Sequence, residues 1–341
     1  MNAFISPIDR SLLETNMTKK PYSIALFFAS LLASSQVGAT AFSNLFVFGD
    51  SLSDSGASTS SVLSAYNLGG QCDSDHPCPP YYQGRISNGP TAAEYIANSV
   101  LSGGANAGNF FNFAVAGSTT GIGNEGDGGS QTSQGALLAP GMAQQFGLFS
   151  AQFTAAVTPD SLFFVWGGAN DFLTGNSATS AATNIANYVG ALIGFGAQHI
   201  VVPNLPDLSI TPFAQSLPAN VIVAAQDYSL TFNQELTNRL DALSLLSPNT
   251  QIVEFDAYNF FTAVVQNPTA YGFTNSTEAC VSLPDVCSDP ASRVFWDDFH
   301  PTTQVHALFA GAVVSQVPLP GSFVFLVSGL MGLLFAKRRP A

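Results

Sequence analysis

A serine near one end of the chain and an aspartate–histidine pair near the other carry the residue types of nucleophilic catalysis. Ser51 stands where an apolar run becomes polar, in the sequence FVFGDSLSDS at positions 46–55. Asp297 precedes His300 in the sequence FWDDFHPT at positions 295–302. A serine hydroxyl attacks a carbonyl at neutral pH only if a base removes its proton, and a carboxylate that orients the base assists. These three residues therefore predict a Ser-His-Asp site for acyl transfer.

These two stretches resemble the GDSL, or SGNH, family of esterases and lipases, whose serine lies in Gly-Asp-Ser-Leu and whose histidine follows Asp-x-x-His. Two stretches between them, NFAVAGST at 112–119 and VWGGAND at 165–171, resemble further segments of that family and occur in the same order. The resemblance implies an oxyanion hole made by the backbone N–H groups of Ser51 and Gly117 and by the side-chain amide of Asn170.

The family spacing also chooses between two neighbouring carboxylates. Asp297 stands three positions before His300, as Asp-x-x-His requires, so the resemblance assigns the third member of the triad to Asp297 and not to Asp298. The resemblance implies that the protein hydrolyses carboxylic esters, either small-molecule esters or lipids. It implies no cofactor.

Each stretch also has a purely structural interpretation. Ser51 or Ser53 could cap a helix after an ordinary strand-to-helix turn. Asn170 could be a turn residue after a buried strand, and Gly117 could serve only a backbone conformation with positive φ. The stretch from Asp297 to His300 could be a solvated loop. All four structural interpretations must hold together if the site is not catalytic, which favours the catalytic interpretation.

A metal site is the second alternative for the aspartate–histidine pair, because a carboxylate and an imidazole are common ligands. A metal needs further ligands, and the remaining histidines, His76, His199 and His306, stand in no matching cluster. We therefore expect no catalytic metal.

Short apolar runs alternate with segments of helical periodicity along the chain. This alternation predicts a parallel sheet covered by helices on both faces, a three-layer α/β/α domain, and the resemblance implies its flavodoxin-like SGNH-hydrolase form. Ligands bind at the carboxyl ends of such strands, where Ser51, Gly117 and Asn170 all lie. No Gly-x-Ser-x-Gly elbow surrounds the serine, which argues against the α/β-hydrolase fold. The predicted strands are Leu45–Phe48, Asn109–Val115, Leu162–Trp166, His199–Val202 and Gln251–Phe255, and the predicted helices are Thr91–Leu101, Ser180–Phe195, Val221–Leu246 and Thr302–Val314.

The residues between 42 and 316 are strongly acidic. They include three arginines, no lysine and twenty carboxylates, a net charge of −17, because most basic residues lie near the two ends of the chain. Such a surface repels nucleic-acid phosphates and anionic lipid headgroups. We therefore expect no nucleic-acid partner and favour neutral esters or acylated sugars as substrates. We assign residues 42–316 to a single SGNH-hydrolase catalytic domain.

The first 41 residues are typical of an export signal. A basic pair at 19–20 precedes an apolar run at about 24–33 and then small residues, the order of a secretory signal peptide. We predict that residues 17–41 are the signal peptide, starting at Met17, and that residues 1–16 are an upstream extension.

Residues 317–341 form a second predicted processing segment. The sequence VPLPG leads into an apolar run at 322–336 and a basic end at 337–339. This pattern resembles the PEP-CTERM sorting signals of Gram-negative bacteria, in the Val-Pro-Leu-Pro variant, and implies an exosortase-like membrane protease as a partner. A plain C-terminal membrane anchor is the alternative. Both interpretations predict an exported enzyme, secreted or held at the cell surface or outer membrane, with transient or lasting membrane anchoring.

The four cysteines form two close pairs. Cys72 and Cys78 are six residues apart, and Cys280 and Cys287 are seven apart. Four cysteines allow three connectivities, and two local disulfides are the simplest arrangement in an oxidising compartment. A bridge in the second pair would stiffen the chain that leads to the aspartate–histidine pair. Zinc binding within residues 72–78 is the alternative for the first pair.

The glycine-, serine- and glutamine-rich stretch Ser118–Gly141 follows Gly117 directly. We expect it to lie beside the site as a mobile lid or a substrate loop, and a featureless surface loop is the alternative.

Three classes of function fit the whole pattern. An extracellular serine esterase or lipase is the first, and an acyltransferase or deacetylase that acts on polysaccharide is the second. A non-catalytic surface or matrix protein is the third, and the complete set of predicted site residues argues against it.

Overall fold

Runs of large apolar residues that are buried on both faces form the central strands of the protein. The computed structural model describes residues 41–56, 72, 76–318 and 320. The predicted upstream extension, signal peptide and sorting segment lie almost wholly outside these residues. The strands of the central sheet are β1 Asn44–Gly49, β2 Phe110–Asn112, β3 Ser161–Trp166, β4 His199–Pro203 and β5 Gln251–Phe255.

All five strands are parallel, in the order β2-β1-β3-β4-β5. This is the flavodoxin-like order, in which the chain crosses from one side of β1 to the other, so that a crevice opens at the carboxyl ends of β1 and β3. Ser51 follows β1 and Asn170 follows β3, so both residues are at that crevice.

Helices cover both faces of the sheet, so the predicted three-layer α/β/α fold is confirmed. On one face pack α1, α7 and α8, and on the other pack α2, α4 and α6, while two short helices, α3 and α5, lie at the strand ends. Their bounds are α1 Ala92–Val100, α2 Met142–Gln152, α3 Ala169–Leu173, α4 Ala178–Gly194, α5 Pro212–Gln215, α6 Ala219–Leu246, α7 Ala257–Gln266 and α8 Thr303–Gln316.

Alternating side chains of β1 enter the two halves of the core. Leu45 and Val47 belong to the half that packs against α1 and α8, whereas Phe46 and Phe48 belong to the half that packs against α2 and α4. Because β1 is buried on both sides, every residue from the second to the last of this strand is inaccessible to solvent or nearly so. The position at which β1 ends is therefore held by packing on both faces.

Aromatic rings fill much of this core. Phe46 stacks on Phe163 of β3 with 5.0 Å between ring centroids, and on the opposite face Trp166 stacks on Phe309 of α8 at 4.5 Å. The high phenylalanine content of the chain thus serves mainly to fill space between the layers.

The second strand is shorter than predicted. We expected a strand over Asn109–Val115, and the structure has one only over Phe110–Asn112. The Asn112 side chain donates to the carbonyl of Ser53 at 2.7 Å and accepts from the N–H of Ala114 at 3.0 Å. The N–H groups of Phe113 and Val115 still donate to β1, at 2.8 and 3.2 Å, but the N–H of Gly49 donates to the side chain of Gln145 at 2.9 Å, so the regular ladder ends early.

A small substructure beside the sheet carries the chain towards His300. Strands β6 Asn275–Ala279 and β9 Arg293–Phe295 pair in parallel, and β7 Val281–Ser282 and β8 Asp285–Val286 form a hairpin between them. Within the described part of the chain, no helix is both long and apolar enough to span a membrane.

Candidate active site

The turn after β1 presents Ser51 at the floor of a cavity. The carbonyl of Asp50 accepts from the N–H groups of Ser53 and Asp54 at 3.0 and 2.9 Å, and its carboxylate accepts from the N–H of Leu52 at 3.1 Å. The turn therefore closes around Asp50 and directs the next residue outward. Ser51 lines the cavity although only 8% of its surface is exposed.

Gln145 of α2 holds the end of β1 in place. Its side chain accepts from the N–H of Gly49 at 2.9 Å and donates to the carbonyl of the same residue at 2.7 Å. It also donates to the hydroxyl of Ser118 at 3.0 Å, directly after Gly117. The buried side-chain amide of Gln145 thus links the end of β1, just before Ser51, to the loop that follows Gly117. No pattern in the sequence predicted this role of Gln145.

His300 joins Ser51 and Asp297 in a continuous chain of hydrogen bonds. Nε2 of His300 lies 2.7 Å from Oγ of Ser51, and Nδ1 lies 2.8 and 3.0 Å from the two carboxylate oxygens of Asp297. Because a carboxylate can only accept, Nδ1 carries the proton and Nε2 is left to accept from the serine hydroxyl.

The electrostatics of this pair favour a charged carboxylate and a basic imidazole. Burial by itself raises the pKa of Asp297, but the facing His300 and the N–H groups of Phe299 and His300 outweigh it, so the pKa lies below its ordinary value. Burial by itself lowers the pKa of His300, but Asp297 and, more weakly, Asp50 outweigh it, so the pKa of His300 is raised above 6.5.

The other carboxylate of the pair, Asp298, does not approach the imidazole. Its side chain is exposed, and its backbone carbonyl accepts from the N–H of Phe213 in α5 at 3.0 Å. Asp297 also accepts from the N–H groups of Phe299 and His300 through Oδ1 and from the hydroxyl of Tyr81 through Oδ2.

The segment Asp297–His300, here called the histidine loop, is held from the side by the β7–β8 hairpin. The N–H of Trp296 donates to the carbonyl of His300 at 2.7 Å, and the carbonyl of Trp296 accepts from the N–H groups of Cys280 and Val281 at 3.0 and 2.8 Å. A disulfide between Cys280 and Cys287 closes this hairpin. The disulfide therefore lies directly against the base of the loop.

Three N–H donors converge on the cavity from different segments. Among the described residues, neither the N–H of Ser51 nor that of Gly117 donates to a protein acceptor. The side-chain amide of Asn170 donates to the carbonyl of Ser118 at 3.0 Å, which leaves its second hydrogen for the cavity. All three residues line the cavity beside Ser51.

Glycine is required at Gly117 for two reasons. Its φ is +78°, and a Cβ would lie 2.3 Å from the side-chain oxygen of Asn124. Asn124 in turn donates to the carbonyl of Ala116 at 2.7 Å, which fixes the peptide before the glycine. A side chain at position 117 would therefore disturb both its own backbone and this contact.

Buried carboxylates connect the loops at the strand ends. Asp54 accepts from the N–H of Ala116 at 2.9 Å, and Asp171 accepts from the N–H and hydroxyl of Thr120 at 2.8 Å each. Burial raises the pKa of Asp54 to about 6 and that of Asp171 above its ordinary value, despite these donors. Burial also raises the pKa of Asp50 to about 7.

The stretch Ser118–Gly141 lies beside the site as a hydrogen-bonded loop. Gln131 donates to Asp171 at 2.8 Å, and Asp127 accepts from the N–H groups of Leu137 and Ala139 at 3.0 and 2.9 Å. Asn124, Asp127 and Leu137 line the cavity. The stretch is therefore a loop with internal hydrogen bonds that contributes to the wall of the cavity.

The cavity above Ser51 has a volume of about 590 Å³ and two unlike walls. One wall is polar and comes from the loop Ser118–Gly141. The other wall is apolar and is built by α3, by the segment that follows β4, and by α5 and the start of α6. Its side chains include Phe172, Leu208, Ile210, Phe213, Leu217 and Val221.

The remaining histidines and cysteines have other surroundings. His306 is buried in α8, where its Nδ1 accepts from the N–H of Ala92 at 3.2 Å and burial lowers its pKa to about 3. Cys72 and Cys78 form a disulfide, so the alternative of zinc binding by these two thiolates does not apply. Within the described residues, no group of histidine, cysteine and carboxylate side chains is arranged to hold a metal ion.

The sequence is similar to proteins of one family. The family profile described as GDSL-like Lipase/Acylhydrolase matches residues 45–313. The chain is 27% identical to phosphatidylcholine-sterol acyltransferase of Aeromonas hydrophila, over 85% of this chain and 94% of that protein. It is 24% identical to a GDSL esterase/lipase of Arabidopsis thaliana, over 86% of this chain and 94% of that protein. A solved structure from the lipolytic protein G-D-S-L family of Veillonella parvula covers 80% of this chain and 97% of its own, with a TM-score of 0.43 and 13% identity.

Proposed function

This chain belongs to the GDSL-like lipase/acylhydrolase family and is a carboxylester hydrolase of the GDSL type, and we propose that it works through a Ser51–His300–Asp297 triad. The observation that carries the proposal is the unbroken set of hydrogen bonds from Oγ of Ser51 through the imidazole to the carboxylate of Asp297. This is the connection that a serine needs in order to lose its proton as it attacks.

In the proposed reaction, Oγ of Ser51 attacks the ester carbonyl while Nε2 of His300 takes the hydroxyl proton. The ester C–O bond then breaks, and His300 gives the proton to the departing alcohol. Water attacks the resulting acyl-enzyme with the same histidine as base, and the carboxylic acid leaves. Asp297 keeps the imidazole in its useful tautomer and stabilises the imidazolium that forms.

The proposed oxyanion hole consists of the N–H groups of Ser51 and Gly117 and the side-chain amide of Asn170. The two backbone donors lack protein acceptors among the described residues, and all three residues line the cavity above the serine. Donors that are already aligned stabilise the developing negative charge without having to reorganise during the reaction.

The direct test is hydrolysis of p-nitrophenyl esters of graded chain length by residues 42–316, compared with the Ser51→Ala variant. We expect Ser51→Ala to lose nearly all turnover and to keep its folding. Ser53→Ala, two residues further along the same turn, is the matched control and should remain active. Equal turnover by Ser51→Ala and the unaltered protein would remove the serine from the mechanism.

We assign the acyl group of the substrate to the apolar wall of the cavity, because burial of a hydrocarbon chain against these side chains is favourable. Ala214 of α5 is buried in that wall. Ala214→Phe should lower kcat/KM for long acyl esters about tenfold relative to short ones, since a filled pocket discriminates by size. Ala191→Phe on the exposed face of α4 is the control, and an unchanged chain-length profile for Ala214→Phe would place the acyl group elsewhere.

Acyl transfer to an alcohol is a second candidate, favoured by the similarity to phosphatidylcholine-sterol acyltransferase over 85% of the chain. The acyl-enzyme is common to both reactions, and only the acceptor differs. Chromatography of the products formed in the presence of a sterol or a polysaccharide alcohol separates the two. A new ester would establish transfer, whereas free acid alone would leave hydrolysis.

We also propose that the enzyme is exported and processed at both ends, by signal peptidase and by an exosortase-like protease. The signal-like order of residues 17–41 and the sorting-like order of residues 317–341 support this proposal. The two disulfides suit an oxidising compartment. Mass spectrometry of the protein from culture fractions tests it, since intact termini in a cytoplasmic fraction would contradict export.

A further inference from the structure

A tyrosine far from the histidine loop in sequence makes a direct contact with the proposed triad. The hydroxyl of Tyr81 donates to Oδ2 of Asp297 at 3.0 Å, across 216 residues of sequence. We propose that Tyr81 is a positioning residue, which fixes the plane of the Asp297 carboxylate so that the carboxylate orients His300. This inference rests on the proposed triad and adds a member to it that the sequence motifs do not contain.

The two oxygens of Asp297 are held in different ways. Oδ1 accepts from the N–H groups of Phe299 and His300 at 2.9 and 2.7 Å, and both of these donors belong to the histidine loop itself. Oδ2 accepts from Tyr81 and receives the longer of the two contacts from Nδ1. The tyrosine hydroxyl therefore supplies a hydrogen bond to the carboxylate from outside the loop.

The surroundings of Tyr81 make its hydroxyl a fixed donor. The side chain is only 6% exposed. Its ring makes T-shaped contacts with the rings of Trp296 and His76, with 5.9 and 5.0 Å between the ring centroids. The N–H of Tyr81 donates to the carbonyl of Pro77 at 3.0 Å. Because the ring is already immobilised by packing, little rotamer entropy is lost when the hydrogen bond forms.

Both disulfides pack around this tyrosine. Tyr81 belongs to a small apolar cluster beside the sheet, and half-cystines of both disulfides contribute to that cluster. Its members are Tyr81, Ile86, Cys280, Val281 and Trp296, with Cys78, Ala116 and Cys287 packed against them. The cluster thus joins the segment that carries Tyr81 to the segment that carries Asp297.

Packing alone does not require a tyrosine at this position. A phenylalanine would fill the same space among the apolar side chains, and what the hydroxyl adds is one donor directed at a carboxylate. A hydrogen bond to an ionised acceptor is shorter and stronger than one between neutral groups. The chemistry of the contact therefore points to the orientation of Asp297.

The test is a double-mutant cycle of Tyr81→Phe and Asp297→Asn, with kcat and KM measured on a p-nitrophenyl ester. We expect Tyr81→Phe alone to lower kcat about tenfold and to leave KM unchanged, since a hydrogen bond to a charged group is lost. In the Asp297→Asn background the same change should alter kcat less than about twofold, because Tyr81 acts through the carboxylate. Tyr95→Phe, which removes a hydroxyl bonded to Thr303 at 2.8 Å, is the matched control and should keep full kcat.

Each outcome of the cycle has a distinct meaning. An equal loss of kcat in both backgrounds would show that Tyr81 serves structure alone and would overturn the inference. Full activity of Tyr81→Phe beside an inactive Asp297→Asn would overturn it too, while leaving the triad intact. Full activity of Asp297→Asn would instead contradict the proposed function itself.

A spectroscopic readout covers the case in which activity falls for an unrelated reason. The downfield proton signal of Nδ1–H of His300 reports its hydrogen bond to Asp297, and it should move in Tyr81→Phe but not in Tyr95→Phe. An unmoved signal would contradict the positioning role. Failure of Tyr81→Phe to fold would also overturn the inference, because the hydroxyl would then be needed for the cluster itself.

Discussion

The two sides of the site are built by different means. Ser51 and Asn170 lie at the ends of β1 and β3, whose side chains pack on both faces of the sheet. The histidine loop, Asp297–His300, follows a short strand outside that sheet and leans on a disulfide-closed hairpin and on Tyr81. Packing on both faces of the sheet holds the serine side, whereas hydrogen bonds and a disulfide outside the sheet hold the histidine side.

This difference has a consequence for the effects of mutation. On the serine side, neighbouring loops are joined by hydrogen bonds from the side chains of Gln145, Asp54 and Asp171. The loss of one of these hydrogen bonds therefore leaves the others in place. On the histidine side, the hydrogen bonds converge on the one carboxylate of Asp297, which accepts from Tyr81 and from the N–H groups of Phe299 and His300. Substitutions there should act on turnover more than on stability.

After the loss of turnover expected for Ser51→Ala, the largest effect is expected for the carboxylate of the histidine loop. Asp297→Asn should lower kcat about 10⁴-fold with little loss of folding, because the amide can hold the wrong tautomer of the imidazole in place. Asp298→Asn is the matched control, one residue away and exposed, and should remain close to fully active. Steady-state kinetics of the two variants decide the assignment, and the reverse order of activities would move the role to Asp298.

The next largest effect is expected on the serine side, at the side-chain amide of the cavity. Asn170→Ala should lower kcat on the order of 10²–10³-fold, because one preorganised donor to the developing oxyanion is lost. Asn176→Ala, whose amide donates to Thr174 at 2.8 Å outside the cavity, serves as the control. A comparable loss in both variants would indicate a general disturbance of α3 rather than an oxyanion contact.

Removal of the hairpin disulfide should affect the histidine side selectively. The Cys280→Ala/Cys287→Ala double variant should lose about 2–3 kcal/mol of unfolding free energy, since the bridge closes a short loop, and kcat should fall about tenfold as the histidine loop loosens. Denaturant unfolding and kinetics measure the two effects. Loss of stability with unchanged kcat would show that other contacts suffice to hold the loop.

The smallest effect is expected in the pH dependence. The imidazole must be neutral to accept the serine proton, and the pKa of His300 is raised, so kcat/KM should rise with pH through a midpoint above 6.5. The negative charge of Asp50 helps to raise the pKa of His300. Asp50→Asn should therefore move the midpoint of the pH profile to lower pH by about one unit or less. A midpoint that stays in place would contradict a contribution of Asp50 to the raised pKa of His300.

Much of the fold was predictable because short, largely apolar strands alternate with segments of helical periodicity. The strands at Leu162–Trp166 and Gln251–Phe255 and the long helix that begins near Val221 lie within a few residues of their predicted positions. The prediction for the second strand was too long, because the N–H of Gly49 at the end of β1 donates to the side chain of Gln145 and does not continue the ladder with β2. Such a tertiary hydrogen bond leaves no mark in hydrophobic periodicity.

Ser51, Gly117, Asn170 and His300 line one cavity, because each stands shortly after a strand or before the last helix. Asp297 contacts the imidazole of His300 at 2.8 Å. A motif such as Asp297 and His300, three positions apart, can be recognised from a short stretch of sequence alone. The contacts that hold them were not predictable. Gln145 is separated from Gly49 by 96 residues, and Tyr81 from Asp297 by 216.

The sequence by itself determined the reactive groups, the alternation of strands and helices and the strongly acidic surface, because residue type and short-range order are sufficient for these properties. Only the tertiary structure decided which buried side chains support the reactive groups and which wall of the cavity is apolar. The reason is physical, since a polar side chain far away in sequence finds its partner only when packing of the whole chain brings the two together and excludes water from between them.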